Sequence, residues 1–552
     1  MAELILAAVG AADLCLRYGD KLLKVYQAFK QADENIKAKI LLIESTWSQM
    51  AIQVEFVQRI AHTMSLDHCR IHFEVLEMLQ TKLQVAIKKV EPLLKENPAK
   101  AHESRIKRWK YVLVRESLDK TISDLEQWQR IFDPTWYLII LIKDKAVDSE
   151  LLEKSTLSRN NSYSNSYGEE QGNTSVSSSS TLVTIQNLRN ILKNVKNEST
   201  PGTHVTLPAE GLDWERAQKI PYSTTRLIPR MGSNKLFLVD TMLCDSTLDI
   251  PRARADAESL ARKLKQVENA NFGLLSCQGL VKRRTHPTGT LSSIDLVFKV
   301  PIERRKPVSL RSELLQRPVM NLSTVIDIAR QLAMAVSFVH TCDFVHKNIR
   351  PETVLILANS DSELTEGRIS PGAVQLLGFD RFRSVNFSTM RRGDTAWERN
   401  LYRHPLRQGL HAQEDYVMQH DVYSLGVCLL ELGLWKSFVI DGKSEEAHIK
   451  DEDSRKIPSP TLGLTLDDFN QDTGSPAEPA TRIKDHLVQL ARSQLPQRMG
   501  NKYTAVVVTC LTCLDEENED FGDQEDMRDE DGILIGVRFI EKILLRLSEI
   551  SI

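Results

Sequence analysis

The chain has 552 residues, 41% of them hydrophobic and 26% charged, with a formal net charge of -3. That length exceeds one ordinary domain, and the near-balanced charge excludes a bulk electrostatic tether to nucleic acid. The 8 cysteines lack framework spacing, as in a reducing interior, and no run approaches the roughly 18 apolar residues of a spanning helix.

Residues 1–150 read as an all-α helical bundle. Apolar residues recur at helical spacing from Leu4 to Val25, from Ile40 to Ile60, from Phe73 to Val90 and from Trp109 to Trp128. Pro92 and Pro98 close the third segment and Asp133-Pro134 the fourth. The first segment is apolar but lacks the basic start and cleavage site of a signal peptide, which predicts a cytoplasmic protein. Lys88, Lys89, Lys95, Arg105, Lys107, Arg108 and Lys110 gather around the joint between the third and fourth helices. There each cation could add about 1 kcal/mol of attraction to an anionic leaflet. Residues 151–219 read as a flexible Ser/Asn-rich linker with a helix at 182–198.

From residue 220 the chain returns to globular character. Strands are predicted over 235–240 and 294–300, with a helix over 257–267 between them. Helices follow over 324–340 and 421–434, then a loop-rich insertion over 441–480, a solvated acidic run over 515–531 and a last helix over 533–550.

The phrase Val345-His346-Lys347-Asn348-Ile349-Arg350-Pro351-Glu352-Thr353 resembles a protein-kinase catalytic loop of the pattern H-R-D-L-x-x-x-N. Asn348 stands where the proton-accepting Asp belongs, and an amide cannot take a proton at neutral pH. Thr353 replaces the magnesium-holding Asn, and Gly378-Phe379-Asp380 stands where kinases carry D-F-G. Asp421-Val422-Tyr423-Ser424-Leu425-Gly426 matches the helix start whose Asp braces the catalytic loop. The glycine-rich loop is absent, and Phe237-Leu238-Val239-Asp240 ends in an acid where a strand lysine belongs. Lys235 is a lysine from another register, and Glu258 and Glu268 are helix acids with no evident lysine partner. The fold class expected is therefore multidomain: a helical bundle, then a bilobal protein-kinase-like α+β domain over 220–552. No catalytic residue, metal or nucleotide cofactor is supported by these motifs.

The opening Met1-Ala2-Glu3-Leu4-Ile5-Leu6-Ala7-Ala8-Val9-Gly10 and the bundle pattern resemble the HeLo domain of fungal prion-inhibition and propagation proteins. The remainder resembles the degenerate kinase-like domain attached to such bundles. The architecture is similar to the mixed-lineage-kinase-like executioner of necroptosis. The resemblance implies a cell-death or heterokaryon-incompatibility effector whose bundle reaches an anionic plasma membrane once an upstream protein activator releases it, with homo-oligomers as a further expectation. Two other classes stay open: an active serine/threonine kinase using a displaced ligand such as Asp380, and a scaffold.

Overall fold

The computed structural model describes residues 2–30, 34–95, 103–153, 185–186, 188–190, 205–233, 235–244, 250–265, 273–284, 289–301, 306–316, 320–358, 373–379, 383–384, 396–408, 416–442, 455–469, 477–521 and 533–550. The chain divides into two compact units, Met1–Asn190 with Asp529–Val537, and Ile191–Arg528 with Arg538–Ile552.

The first unit is helical: α1 Ala2–Gln27, α2 Glu34–Ile60, α3 Leu66–Lys95 and α4 Glu103–Tyr137. Helix α1 packs on α2 and α3, and α4 packs on the same two. The buried face of α1 is built from small residues, Ala8, Ala11, Ala12, Cys15 and Gly19, before Leu22 and Tyr26, so neighbouring backbones approach closely. Tyr26 is buried and shares a 2.7 Å hydrogen bond with Thr121 of α4. Trp128 donates its Nε1–H to Val75 O at 2.7 Å and stacks on Phe132.

Pro92 and Pro134 lie inside α3 and α4 rather than ending them. Each lies in the last turn of its helix, so the hydrogen bond that its missing N–H forfeits and the ring's clash with the carbonyl four residues back fall where only three more helical residues follow. Residues 185–186 and 188–190 are helical, and Arg189 is buried, donating to Ile139 O and Ile142 O at 2.6 and 2.7 Å. That end of the expected linker is thus folded onto the first unit, because a buried guanidinium needs several acceptors. The rest of 182–198 lies outside the described residues.

Gly19 faces the Trp47 indole so closely that an added Cβ would fall inside the ring. Alanine would gain roughly 1 kcal/mol of helix propensity, but overpacking of this kind costs about 1–3 kcal/mol. Gly19→Ala is expected to lower the urea midpoint of the first unit, read by hydrogen exchange in α1 and α2. An unchanged or raised midpoint would contradict this packing.

His68 and His72 lie one turn apart on α3, fully buried, with their Nε2 atoms 3.1 Å from each other. Burial pushes His68 down to about 4, and burial plus its neighbour pushes His72 further below the usual range. The unfolded chain protonates both at higher pH, so they destabilise the fold as pH falls below about 6.5. Burial raises Asp133 to about 7, which opposes them: the folded state takes up that proton first and gains stability as pH falls from 7 towards 4. Asp133→Asn should therefore make the urea midpoint of the first unit fall more steeply below pH 6.5 than in the natural chain. Equal slopes would refute it.

The second unit begins earlier than residue 220. Residues 205–207 already pair with the sheet, through Leu207 N to Leu280 O at 2.8 Å and Leu280 N to Val205 O at 2.7 Å. The sheet is antiparallel with strands β1 Gln218–Lys219, β2 Arg226–Pro229, β3 Leu236–Leu243, β4 Cys277–Arg284 and β5 Leu291–Lys299, in the order β1-β2-β3-β5-β4. Leu212, Ile228, Phe237, Val239, Val281 and Val297 form one apolar cluster on it. Helix α5, Ile250–Lys265, packs on β4 and β5.

A helix-rich part follows. Strands β6 Lys306–Ser309, β8 Val354–Ala358 and β9 Ala373–Leu376 form a small antiparallel sheet, and β7 Phe344–Val345 pairs with β10 Arg383–Ser384. Its main helices are α6 Leu310–Gln316, α7 Leu322–Thr341, α8 Met418–Leu434 and α9 Ala477–Leu511. Asn321 caps α7 by accepting from Thr324 N at 2.8 Å. Among the described residues α7 alone is long and apolar enough to cross a membrane, and most of it is buried as core. Helix α9 breaks at Gly500, whose φ of +79° lies in the left-handed region.

Within the insertion, Val439–Asp441 pairs with Lys456–Pro458. The start of the acidic run is tied down rather than solvated: Asp515 pairs with Lys484 at 2.6 Å and Asp520 with Arg546 at 2.6 Å. Residues 522–532 lie outside the described ones.

Candidate functional site

The loop from His346 to Thr353 leaves β7 after Val345, and Asp343 just before the strand and Lys347 just after it take positive φ, +60° and +64°. Such backbone costs on the order of 1 kcal/mol or more per residue and needs outside support. Asp421, in the first turn of α8, supplies it. Its carboxylate accepts from His346 N at 2.7 Å, Lys347 N at 2.9 Å and the Tyr416 hydroxyl at 2.7 Å, and it lies 3.2 Å from His340 Nε2. Burial alone would raise Asp421, but the hydrogen bond and charge of His340, the His346 charge and the Tyr416 hydroxyl outweigh it, leaving the group below its usual range.

The structure brings the loop's degenerate positions together. Asn348 donates Nδ2–H to Gly378 O at 3.1 Å and accepts from Arg350 Nε at 2.9 Å. The Thr353 hydroxyl lies 2.8 Å from Asn348 O and 2.9 Å from Arg350 O, and accepts from Arg350 N at 3.2 Å. It therefore closes its own loop. Phe379 packs its ring 4.7 Å from that of His346 and 6.1 Å from that of Phe298 on β5. Asp380 lies outside the described residues.

Gly378 has φ of +83°, and an added Cβ would collide with the Thr353 side chain. No aspartate fits there without moving the loop. Its N–H instead meets a carboxylate from elsewhere. Asp240 of β3, 3% exposed, accepts from Gly378 N at 2.6 Å, Phe379 N at 3.4 Å and the Thr225 hydroxyl at 2.5 Å. Periodicity placed Asp240 on a strand but not its partners, of which Gly378 and Phe379 arrive from 138 and 139 positions away.

Two expectations about lysines change. Lys235 is exposed just before β3, its Nζ 5.8 Å from the Phe237 ring, and does not reach in from another register. Glu258 of α5 does have a lysine partner: Lys282 of β4, at 2.7 Å, with Arg254 at 2.9 Å. Burial opposes ionisation of Glu258, but these cations hold it below its usual range. Strand β4 carried only a weak alternating pattern, so sequence alone did not offer Lys282. Glu268 lies outside the described residues.

Below the loop is a buried ion cluster. Arg311 of α6 donates to Glu431 at 2.9 Å, to Ser437 Oγ at 2.5 Å, to the Tyr402 hydroxyl at 2.7 Å and to Glu352 at 3.2 Å. Glu352 is lowered: burial alone would raise it, and the Arg311 and Arg350 charges reverse that.

In the helical unit, Lys88 and Lys89 are exposed on α3, whereas the side chains of Lys95, Arg105, Lys107, Arg108 and Lys110 lie outside the described residues. Leu6 near the start of α1 is 70% exposed. Among the described residues no group of three or more His, Cys, Asp or Glu side chains could hold a metal ion. The arrangement around Gly378 thus offers acceptors already filled by backbone N–H groups, suited to holding a loop shut. No protein-family model matches the chain, and no curated protein matches it.

Proposed function

We propose that the second unit is a degenerate protein-kinase-like domain that transfers no phosphate and acts as a switch on a membrane-acting helical bundle. The observation that carries this reading is the bond of Asp240 to Gly378 N. A strand lysine at that position would draw nucleotide phosphates in; a buried carboxylate repels them and occupies the adjacent backbone donors itself. Asn348 and Thr353, at the base and magnesium positions, are likewise committed to their own loop. A five-stranded antiparallel sheet with one helix, followed by a helix-rich part, fits the two-lobed kinase-like arrangement. Asp421 keeps the loop brace, which is a structural task independent of catalysis.

The membrane half of the reading draws support from exposed Lys88 and Lys89 and from the apolar, exposed Leu6. The protein would then be cytoplasmic at rest and recruited to an anionic plasma membrane by an upstream activator, as a cell-death or incompatibility effector.

Two measurements on the full chain test it. With labelled ATP and magnesium no phosphate transfer is expected, including to generic substrates; transfer abolished by Asn348→Ala or Asp380→Ala would establish an active kinase instead. A protease site engineered between residues 154 and 184 should, once cut, switch on dye release from phosphatidylserine vesicles, and Lys88→Glu with Lys89→Glu should weaken it. Intact vesicles with no bound protein after cleavage would leave a scaffold.

A further inference from the structure

Strand β4 ends the order of the five-stranded sheet, and a short piece of the preceding chain lies along its outer edge. Val205, Thr206 and Leu207 run parallel to β4, with Thr206 opposite Leu280. Leu280 N donates to Val205 O at 2.7 Å, and Leu207 N donates to Leu280 O at 2.8 Å. The side chains alternate as in a strand: Val205 is buried, Thr206 is exposed, and Leu207 packs half-buried against the cluster that holds Val281 and Val297. Pro208 follows and has no N–H with which to continue the pairing.

The edge is shaped to receive this strap. A register shift between Cys277 and Gly279 marks a β-bulge in β4. Gly279 takes φ of +154°, and an added Cβ would lie 2.2 Å from Val205 O and 3.0 Å from Leu207 Cγ. A glycine is therefore needed for the strap to close on the strand. The bulge satisfies its own carbonyl, since the Cys277 thiol donates to Gly279 O at 3.3 Å.

The strap is held far less firmly than the strand beneath it. Two backbone bonds and one fully buried side chain offset the ordering of three residues, whereas β4 is paired with β5 along its length. The strap can thus lift while the sheet stays intact, and an uncovered strand edge takes up another extended chain. The segment already shown to fit is Val205–Leu207, and a second copy of this chain carries the same one. Exchange of an identical element reproduces every contact of the closed form. Residues 191–204, between Asn190 and the strap, reach about 45 Å when fully extended, enough to carry it to a neighbouring copy.

We propose that the β4 edge at Gly279–Leu280 is a strand-acceptor site whose exchangeable occupant is Val205–Leu207, so that two copies of this chain join by swapping straps. The inference rests on this sheet and does not depend on the kinase-like reading.

The test uses the full chain with the exposed Thr206 replaced by the photo-cross-linker p-benzoylphenylalanine. Heavy-isotope and light copies are mixed, incubated and irradiated, and cross-linked peptides are read by mass spectrometry. Cross-links from position 206 to residues 277–284 that join heavy to light peptides are expected, in a share that rises with protein concentration. Cross-links confined to one label at every concentration would overturn the proposal. Hydrogen exchange on the natural chain gives a second readout that no substitution can disturb. Leu207 N–H and Leu280 N–H should exchange together, about tenfold or more faster than the amides between β3 and β5. Exchange of that pair only with the whole sheet would mean that the strap does not lift, and the proposal would fall.

Discussion

Replacing Arg311 by methionine should destabilise the second unit by about 3–5 kcal/mol, because it strands a buried carboxylate. Arg311 is 2% exposed and Glu431 0%, so water cannot take over the lost partner. Glu431 would keep the Tyr402 hydroxyl at 2.8 Å and Phe438 N at 2.6 Å, but lose its counter-charge. Glu352, bonded to Arg311 at 3.2 Å, would retain Arg350 at 4.0 Å as its cation among the described residues. Adding Glu431→Gln removes the stranded charge while keeping an acceptor for Phe438 N. The double variant should therefore be less destabilised than the sum of the singles, by about 0.5–3 kcal/mol. Urea unfolding of the full chain, with hydrogen exchange in α8 as the local probe, measures both. A loss under about 1 kcal/mol for Arg311→Met would mean that the cluster is wet and not buried as described.

The second large effect is expected at Asp421. Alanine there leaves His346 N, Lys347 N and the Tyr416 hydroxyl without their acceptor, at about 1–3 kcal/mol for each buried donor. It also removes what holds Lys347 at positive φ, so the loop 345–353 should open as well as weaken. Asp421→Asn keeps one acceptor oxygen and should lose less. The pH dependence separates charge from shape. Because Asp421 titrates below its unfolded value, its contribution is present above about pH 4 and is lost as pH falls through the lower folded value. Asp421→Asn should flatten the stability profile in that acidic range. Hydrogen exchange over 345–353 provides the check: protection unchanged in Asp421→Ala would show that something other than this carboxylate holds the loop.

Much of this was written in local pattern. The apolar stripes of α1 to α4 announced a helical bundle, since a helix repeats every 3.6 residues and a buried face must follow that period. Pro92 and Pro134 misled because each helix runs on for three residues past its proline, beyond the break that the missing N–H predicts. The strands β3 and β5 were legible from β-branched runs, whereas β2 is a four-residue strand ending in Pro229 and β4 is masked by Gln278, Lys282, Arg283 and Arg284. The acidic run looked solvated because sequence does not show that Lys484 and Arg546 wait for it across the fold.

What the sequence by itself determined is chemical identity: an amide at Asn348, a hydroxyl at Thr353, a glycine at Gly378 and a carboxylate at Asp240. Those identities fix what each group can donate or accept. What only the tertiary structure decided is where each group's hydrogen bonds end. Asp240 reaches Gly378 across 138 positions, Arg311 reaches Glu431 across 120, and Asp421 reaches His346 across 75. Hydrogen bonding and desolvation act over a few ångströms in space and carry no periodic trace along the chain, so packing alone assigns these partners.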